Sequence, residues 1–290
     1  MRTLILPPSP TLLLAGPLYP TARTGLAADL AAARSLGLHA APVCTALVAA
    51  GGGRVTDVLE VPSDSVRAQI EHALGASPVA GARIGALGSA RAAEAAFAEL
   101  ASYAGPVVVD FVASGPEGET LLDSRGIDAL VEHMPRADVV LFSRRDAELV
   151  SGGAIESLDD AQVAVQRIHR RGAQRVVVRC GVLPARFFSA TEDPGGDGAG
   201  ATPESDLFYD GEEFVLYEAP HMPGAPVQGA AGAFSVAAVA ALIDGADYEA
   251  ALRRAKAFVT DAIRFARESA GRRELDYTAA AHGQEVRRAE

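Results

Sequence analysis

The stretch with the clearest chemical potential is Pro226 to Leu242, PVQGAAGAFSVAAVAAL. A turn, Gly229-Ala230-Ala231-Gly232, opens directly into an uncharged, Ala-rich run that meets its first charge at Asp244 and a stop at Gly245. The pattern predicts a small-residue loop followed by a buried helix. The first turn of a helix has unpaired N–H groups and partial positive charge, so it suits an anion, and small side chains let a phosphate approach the backbone. A plain buried helix after a tight turn fits the same residues.

Several titratable residues could complete such a site. Asp110 ends the apolar run PVVVD, where a carboxylate is costly unless it faces a cleft. Asp29 sits inside a helical segment and reads, on its own, as a solvated helix carboxylate. Asp146 is placed to favour a helix N-terminus. His221 precedes the anion turn, and Arg23, Arg144 and Arg145 are basic groups near loop positions. Each of these four also reads as an ordinary surface residue.

The elements that must position these groups alternate. Apolar runs at Thr11–Gly16, Ala41–Ala50, Ala82–Leu87, Pro106–Asp110, Ala137–Phe142 and Arg175–Arg179 read as strands, and Val55–Val61 as a half-buried strand. Helices are expected over Gly25–Leu36, Ser65–Leu74, Ser89–Tyr103, Ile127–His133, from Asp146, over Ser157–Arg171, and over Tyr248–Ala270. Leu207–Tyr217 reads as a hairpin across Asp210-Gly211. The alternation predicts an α/β fold with a mostly parallel sheet and helices on both faces, its ligand at the carboxyl ends of the strands. Gly16, Asp110, Ser143, Gly181 and Gly229 should then share one rim. Residues 1–270 are expected to form one domain, with a mobile Gly/Pro/acid-rich loop at about 191–205 and a polar, frayed tail over 271–290.

Composition sets bounds. The chain has 290 residues, 49% of them hydrophobic, and a formal net charge of −11. That balance argues against nucleic acid or an anionic membrane surface as partner. Cys44 and Cys180 lie far apart without metal-ligand spacing, as expected for two buried thiols in a reducing compartment. Pro7, Pro8 and Pro10 interrupt the N-terminal apolar run, and no stretch has transmembrane length, so the expectation is a cytoplasmic protein.

Taken in order, Leu12 to Ser269 resembles the hydroxymethylpyrimidine kinase and pyridoxal kinase branch of the ribokinase-like superfamily. The resemblance rests on Ala15-Gly16, Gly25-Leu26-Ala27-Ala28-Asp29, Thr45-Ala46, Arg83-Ile84-Gly85-Ala86-Leu87, Val107-Val108-Val109-Asp110, Ser143-Arg144-Arg145-Asp146-Ala147, Arg179-Cys180-Gly181 and the turn Gly229–Gly232. It implies a three-layer αβα sandwich and ATP- and magnesium-dependent phosphorylation of a hydroxymethyl group on a vitamin B1- or B6-type ring, in thiamine biosynthesis. It also implies a homodimer with a small-molecule ligand.

By the same resemblance, Gly16, Asp29, Ala50 and Ala86 stand at substrate positions. Asp110, Ser143, Asp146, Arg179 and Gly229 stand at nucleotide positions, with Asp110 and Asp146 on the metal side. Ala230 and Ala231 supply anion-hole backbone. The departures fall on chemistry. Gly232 stands where the family has its catalytic Asp or Cys, Ala50 where it has a ring-binding Gln, Ala86 a Met, and Ser143 an Asn. The pattern implies a kinase impaired at its base, with Asp29 or His221 as substitutes, or alternatively a non-catalytic pseudokinase that binds nucleotide or vitamer. An Asp at position 232 is expected to be tolerated unless the backbone there needs positive φ.

Overall fold

Val-rich segments with no polar alternation have nowhere to go but the middle of a two-sided sheet. The computed structural model describes residues 9–21, 23–51, 54–115, 120–183, 203–224, 227–269 and 271–282, and it places them there. Strands β1 (Thr11–Leu18), β2 (His39–Gly51), β3 (Arg54–Glu60), β4 (Val79–Ile84), β5 (Val107–Phe111), β6 (Val139–Ser143), β7 (Val176–Val182), β8 (Glu204–Tyr209) and β9 (Phe214–Ala219) form one sheet. Its order is β3-β2-β1-β4-β5-β6-β7-β8-β9. The run from β2 to β7 is parallel, and β3, β8 and β9 add antiparallel edges.

Side chains that alternate along each strand enter two cores. Leu13, Ala15, Val107, Val109, Val176 and Val178 face one side, against α2 (Ser63–Ala76), α3 (Ala90–Glu99), α4 (Ser124–His133), α5 (Arg144–Ser151) and α6 (Leu158–Arg170). Leu12, Leu14, Val108 and Val177 face the other, against α1 (Gly25–Ser35), α7 (Ala230–Ile243) and α8 (Tyr248–Arg264). The expected three-layer αβα arrangement, with a mostly parallel sheet, is the fold observed.

Local signals explain most boundaries. Ser89, Asp123, Ser143, Ser157 and Asp247 each accept a backbone N–H at the start of a helix. Pro62, by contrast, caps α2 with no side-chain bond. The helix expected to run to residue 270 ends at Arg264, and Arg267–Ser269 pairs with Arg272–Glu274 as β10 and β11.

That hairpin also corrects the frayed tail, because Ala280 is fully buried and Tyr277 stacks near Phe258. Residues 283–290 lie outside the described residues. So do 191–202 of the loop expected to be mobile, while its last two residues, Glu204 and Ser205, open β8.

α7 packs tightly on the sheet at β4. A Cβ on Gly81 of β4 would sit 2.5 Å from Val239 Cγ1 and 2.9 Å from Ile243 Cδ1. Gly81→Ala therefore forces overpacking between β4 and α7, and a stability loss of about 1–3 kcal/mol is expected in urea unfolding. An unchanged midpoint would mean that α7 stands off the sheet. The chain reverses its direction of sheet growth between β1 and β4, which opens a crevice at their carboxyl ends.

Candidate active site at the start of α7

Gly229 caps α7 at φ 82°, a left-handed conformation, and a Cβ there would overlap the Arg23 carbonyl oxygen. The helical ladder begins with Ala233 N–H donating to Gly229 O at 2.9 Å. The N–H groups of Ala230, Ala231 and Gly232 fall outside that ladder and can serve an anion. They open on a cleft of about 370 Å³ whose lining includes Asp29, Arg83, Ala86, Asp110, Ser143, Arg145, Asp146, Arg179 and Gly229–Gly232.

The floor of the cleft is a buried charge cluster. Arg83, the penultimate residue of β4, reaches into the crevice and is 4% exposed. Its Nη1 donates to Asp29 Oδ2 at 2.8 Å, its Nη2 to Asp110 Oδ2 at 2.9 Å, and its Nε to Ser235 Oγ at 2.9 Å. Ser235 in turn donates back to α7, reaching Gly232 O at 2.9 Å. One guanidinium thus ties together α1, β5 and α7, a fork that a lysine ammonium lacks the planar donor set to copy.

Burial raises the Asp29 carboxyl to about 6, against the pull of Arg83 and with a further push from Asp110. Asp110 Oδ1 is buried with no hydrogen-bond partner among the described residues, an unused acceptor on a residue that lines the cleft.

The second carboxylate cluster is more local. Ser143 Oγ donates to Asp146 Oδ2 at 2.7 Å and accepts from Asp146 N at 3.1 Å, and Ala113 N donates to Asp146 Oδ1 at 3.3 Å. Burial raises the Asp146 pKa, and these hydrogen bonds oppose the shift. Arg179, beside Ser143 across β6 and β7, has a buried Nε with no hydrogen-bond partner among the described residues.

The sequence-based site is therefore largely assembled. Asp29, Ala86, Asp110, Ser143, Asp146, Arg179 and Gly229 to Gly232 share one cleft. Gly16 lies beneath it, where a Cβ would be 3.5 Å from Arg83 Nη1. Ala50 does not join: β2 carries it into a separate groove with Leu47, Thr56 and Leu59, because the strand runs on past the rim to pair with β3.

His221 is also elsewhere, exposed and 2.9 Å from Glu204 Oε1. Arg23 is turned to Glu274 at 2.7 Å. Cys44 and Cys180 are free thiols, and burial pushes Cys180 up to about 12. Among the described residues no three His, Cys, Asp or Glu side chains gather as a metal cluster, and no helix is long and apolar enough to cross a membrane.

Two contributors were missed from sequence. Arg83 is a charge inside an apolar strand, and the argument used for Asp110 would have found it. Tyr277, whose hydroxyl is 3.2 Å from where a Gly229 Cβ would be, comes from the segment read as a frayed tail.

Comparison with known proteins agrees with this fold. The phosphomethylpyrimidine kinase family profile matches residues 20–276. A hydroxymethylpyrimidine/phosphomethylpyrimidine kinase of Aquifex aeolicus is 27% identical over 242 residues, covering 83% of this chain and 89% of that protein. One of Rhizobium meliloti is 33% identical over 243 residues, covering 82% and 85%. The Staphylococcus aureus pyridoxal kinase in complex with AMP-PCP superposes with a TM-score of 0.80 at 27% identity, over 94% of this chain and 95% of that one. With that extent of match and the ribokinase-like α/β fold in place, the chain belongs to the phosphomethylpyrimidine kinase family.

Proposed function

We propose that the protein transfers the γ-phosphoryl group of ATP to a hydroxymethyl group on a pyrimidine or pyridine ring of the vitamin B1 or B6 type. The carrying observation is the convergence of three N–H groups outside the α7 ladder with Asp110, Arg145 and Arg179 in one small cleft. Phosphoryl transfer asks a protein mainly for positioning and charge stabilisation, which such a cleft supplies. The relatives named for hydroxymethylpyrimidine/phosphomethylpyrimidine kinase and the pyridoxal kinase complex with AMP-PCP support the same reading.

The roles divide by position. The α7 amides and Arg179 hold the charge that develops on the transferring group, and Ala86 lies under the acceptor ring. Magnesium carried in with the phosphates would face the open Asp110 Oδ1 and, through water, Asp146, and would neutralise phosphate charge.

A second reading, a nucleotide- or vitamer-binding protein without turnover, is favoured by one observation: position 232 has no side chain to act as base.

Thermal shift with magnesium-ATP, pyridoxal and hydroxymethylpyrimidine separates the readings when a phosphate-transfer assay follows. A ligand at a hundred times its Kd adds about 2.7 kcal/mol of stability, a readily visible shift. We expect a shift with magnesium-ATP and a phosphorylated ring product. Shift without product would favour the non-catalytic reading, and no shift with any ligand would remove both.

A further inference from the structure

The space that a side chain at position 232 would occupy is not empty. A Cβ on Gly232 would overlap Asp29 Oδ1, with Asp29 Cγ at 3.3 Å and Arg83 Nη2 at 3.5 Å. The carboxylate of Asp29 therefore stands in the first turn of α7, beside the N–H groups that face the cleft. We propose that Asp29 is the catalytic base, delivered from α1 into the place that Gly232 leaves open. This inference rests on the kinase reading above.

The other groups nearby are committed elsewhere, Asp110 by its Oδ2 to Arg83 and by its Oδ1, in the reading above, to the magnesium side. Asp146 is engaged by Ser143 and Ala113 N, Ser235 donates back to α7, and His221 is outside the cleft. Asp29 gives Oδ2 to Arg83 and turns Oδ1 to Gly232. The charged and titratable groups facing it are Arg83 from β4, Asp110 from β5 and Tyr277 from the C-terminal segment.

Asp29 Oδ1 accepts the proton of the acceptor hydroxyl. The hydroxyl oxygen's electron pair forms the bond to the γ-phosphorus, and the bond from phosphorus to the β,γ-bridging oxygen breaks, its pair leaving with ADP. The proton then passes from Asp29 to solvent. Arg83 holds the carboxylate in place and keeps it ionised against burial. A carboxyl raised to about 6 is ionised at neutral pH and still basic enough to share the hydroxyl proton in the transition state.

The test compares the parent chain, Asp29→Asn and Asp29→Glu in phosphoryl transfer between about pH 5 and 8, with AMP-PCP affinity measured on each. The parent kcat should rise about tenfold per pH unit at the acid end and level off above the Asp29 pKa. Asp29→Asn should lose about 10²–10⁴-fold in kcat together with the pH break, and Asp29→Glu should recover part of both. AMP-PCP affinity should stay within about threefold, since the nucleotide does not touch Asp29 in this assignment.

A purely structural Asp29 would lower stability or affinity in the Asn variant yet leave the pH break, which would overturn the proposal. So would an Asn variant with parental kcat. Where the variants do not fold, a parental profile flat across the range overturns it and a single break supports it. A parent that binds AMP-PCP and phosphorylates neither ring removes the kinase reading itself, an outcome distinct from an active parent whose Asp29 variant stays active.

Discussion

Arg83→Met is expected to cost about 3–5 kcal/mol in unfolding free energy, the loss that follows when one partner of a buried ion pair is removed. The side chain is 5% exposed, and the carboxylates of Asp29 and Asp110 that it bridges are 1% and 3% exposed. Neither carboxylate can turn to bulk water when the guanidinium is gone. Methionine fills the volume of the stem, so the loss reports charge and hydrogen bonding more than a cavity.

The pH dependence carries a sign. Burial already raises Asp29, and Arg83 is what opposes that shift. Asp29 in the parent already holds its proton more tightly than in the unfolded chain, and without Arg83 it holds it more tightly still, so stability falls more steeply as pH rises. The deficit of Arg83→Met should therefore be smaller at about pH 5 than at about pH 8. Arg83→Lys keeps one charge and should lose less, roughly 1–3 kcal/mol, because one acceptor is left without its donor. Chemical unfolding of the three proteins at two pH values checks this. An Arg83→Met protein within about 1 kcal/mol of the parent at both pH values would mean that the carboxylates are solvated and the cluster is not closed.

That cluster marks the boundary of what the sequence could disclose. The strands were legible because Val107–Asp110 and Val176–Arg179 are continuous apolar runs too short for helices, and the helices because Ser89, Ser157 and Asp247 are good caps. The rim followed from topology, since parallel strands put their carboxyl ends on one side. That logic brought Asp110, Ser143 and Gly229 together without any contact being known.

The pairing within the rim is a different kind of information. Arg83 meets Asp29 across 54 residues and Ser235 across 152, and no local pattern encodes such partners. Ala50, given a substrate position by the resemblance, lines a different groove because β2 extends past the rim to pair with β3, a length that no local pattern encodes. The segment after Gly271 was misread because its polar residues outweighed Leu275, Tyr277 and Ala280, which do the packing.

Gly232→Asp is expected to be strongly destabilising and inactive, in contrast to the tolerance inferred from sequence. The condition attached to that tolerance was a backbone needing positive φ, and Gly232 is not among the glycines with positive φ. The obstacle is space and charge. The new Cβ would overlap Asp29 Oδ1, and the new carboxylate would join Asp29 and Asp110 around a single guanidinium. Overpacking against a buried side chain costs about 1–3 kcal/mol, and a third buried carboxylate adds to that. A favourable helix N-terminus returns only about 0.3–1 kcal/mol. Adding Ala231→Gly does not help, because it makes no room at Asp29 and costs roughly 0.5–1 kcal/mol of helix stability.

The compensating change is at position 29. In Gly232→Asp with Asp29→Ala, the overlap is gone and one carboxylate again stands beside the α7 amides, now carried by α7 itself. This pair should fold with most of the parental stability. It should also exceed Asp29→Ala alone in phosphoryl transfer by about tenfold or more, since a positioned base contributes about 10²–10⁴-fold. Thermal unfolding and single-turnover assays on the parent, both single variants and the pair complete a double-mutant cycle, and strong coupling between positions 29 and 232 is the expected result. A Gly232→Asp protein as stable as the parent, with additive effects in the cycle, would show that Asp29 does not occupy the position 232 space and that the two carboxylate positions are independent.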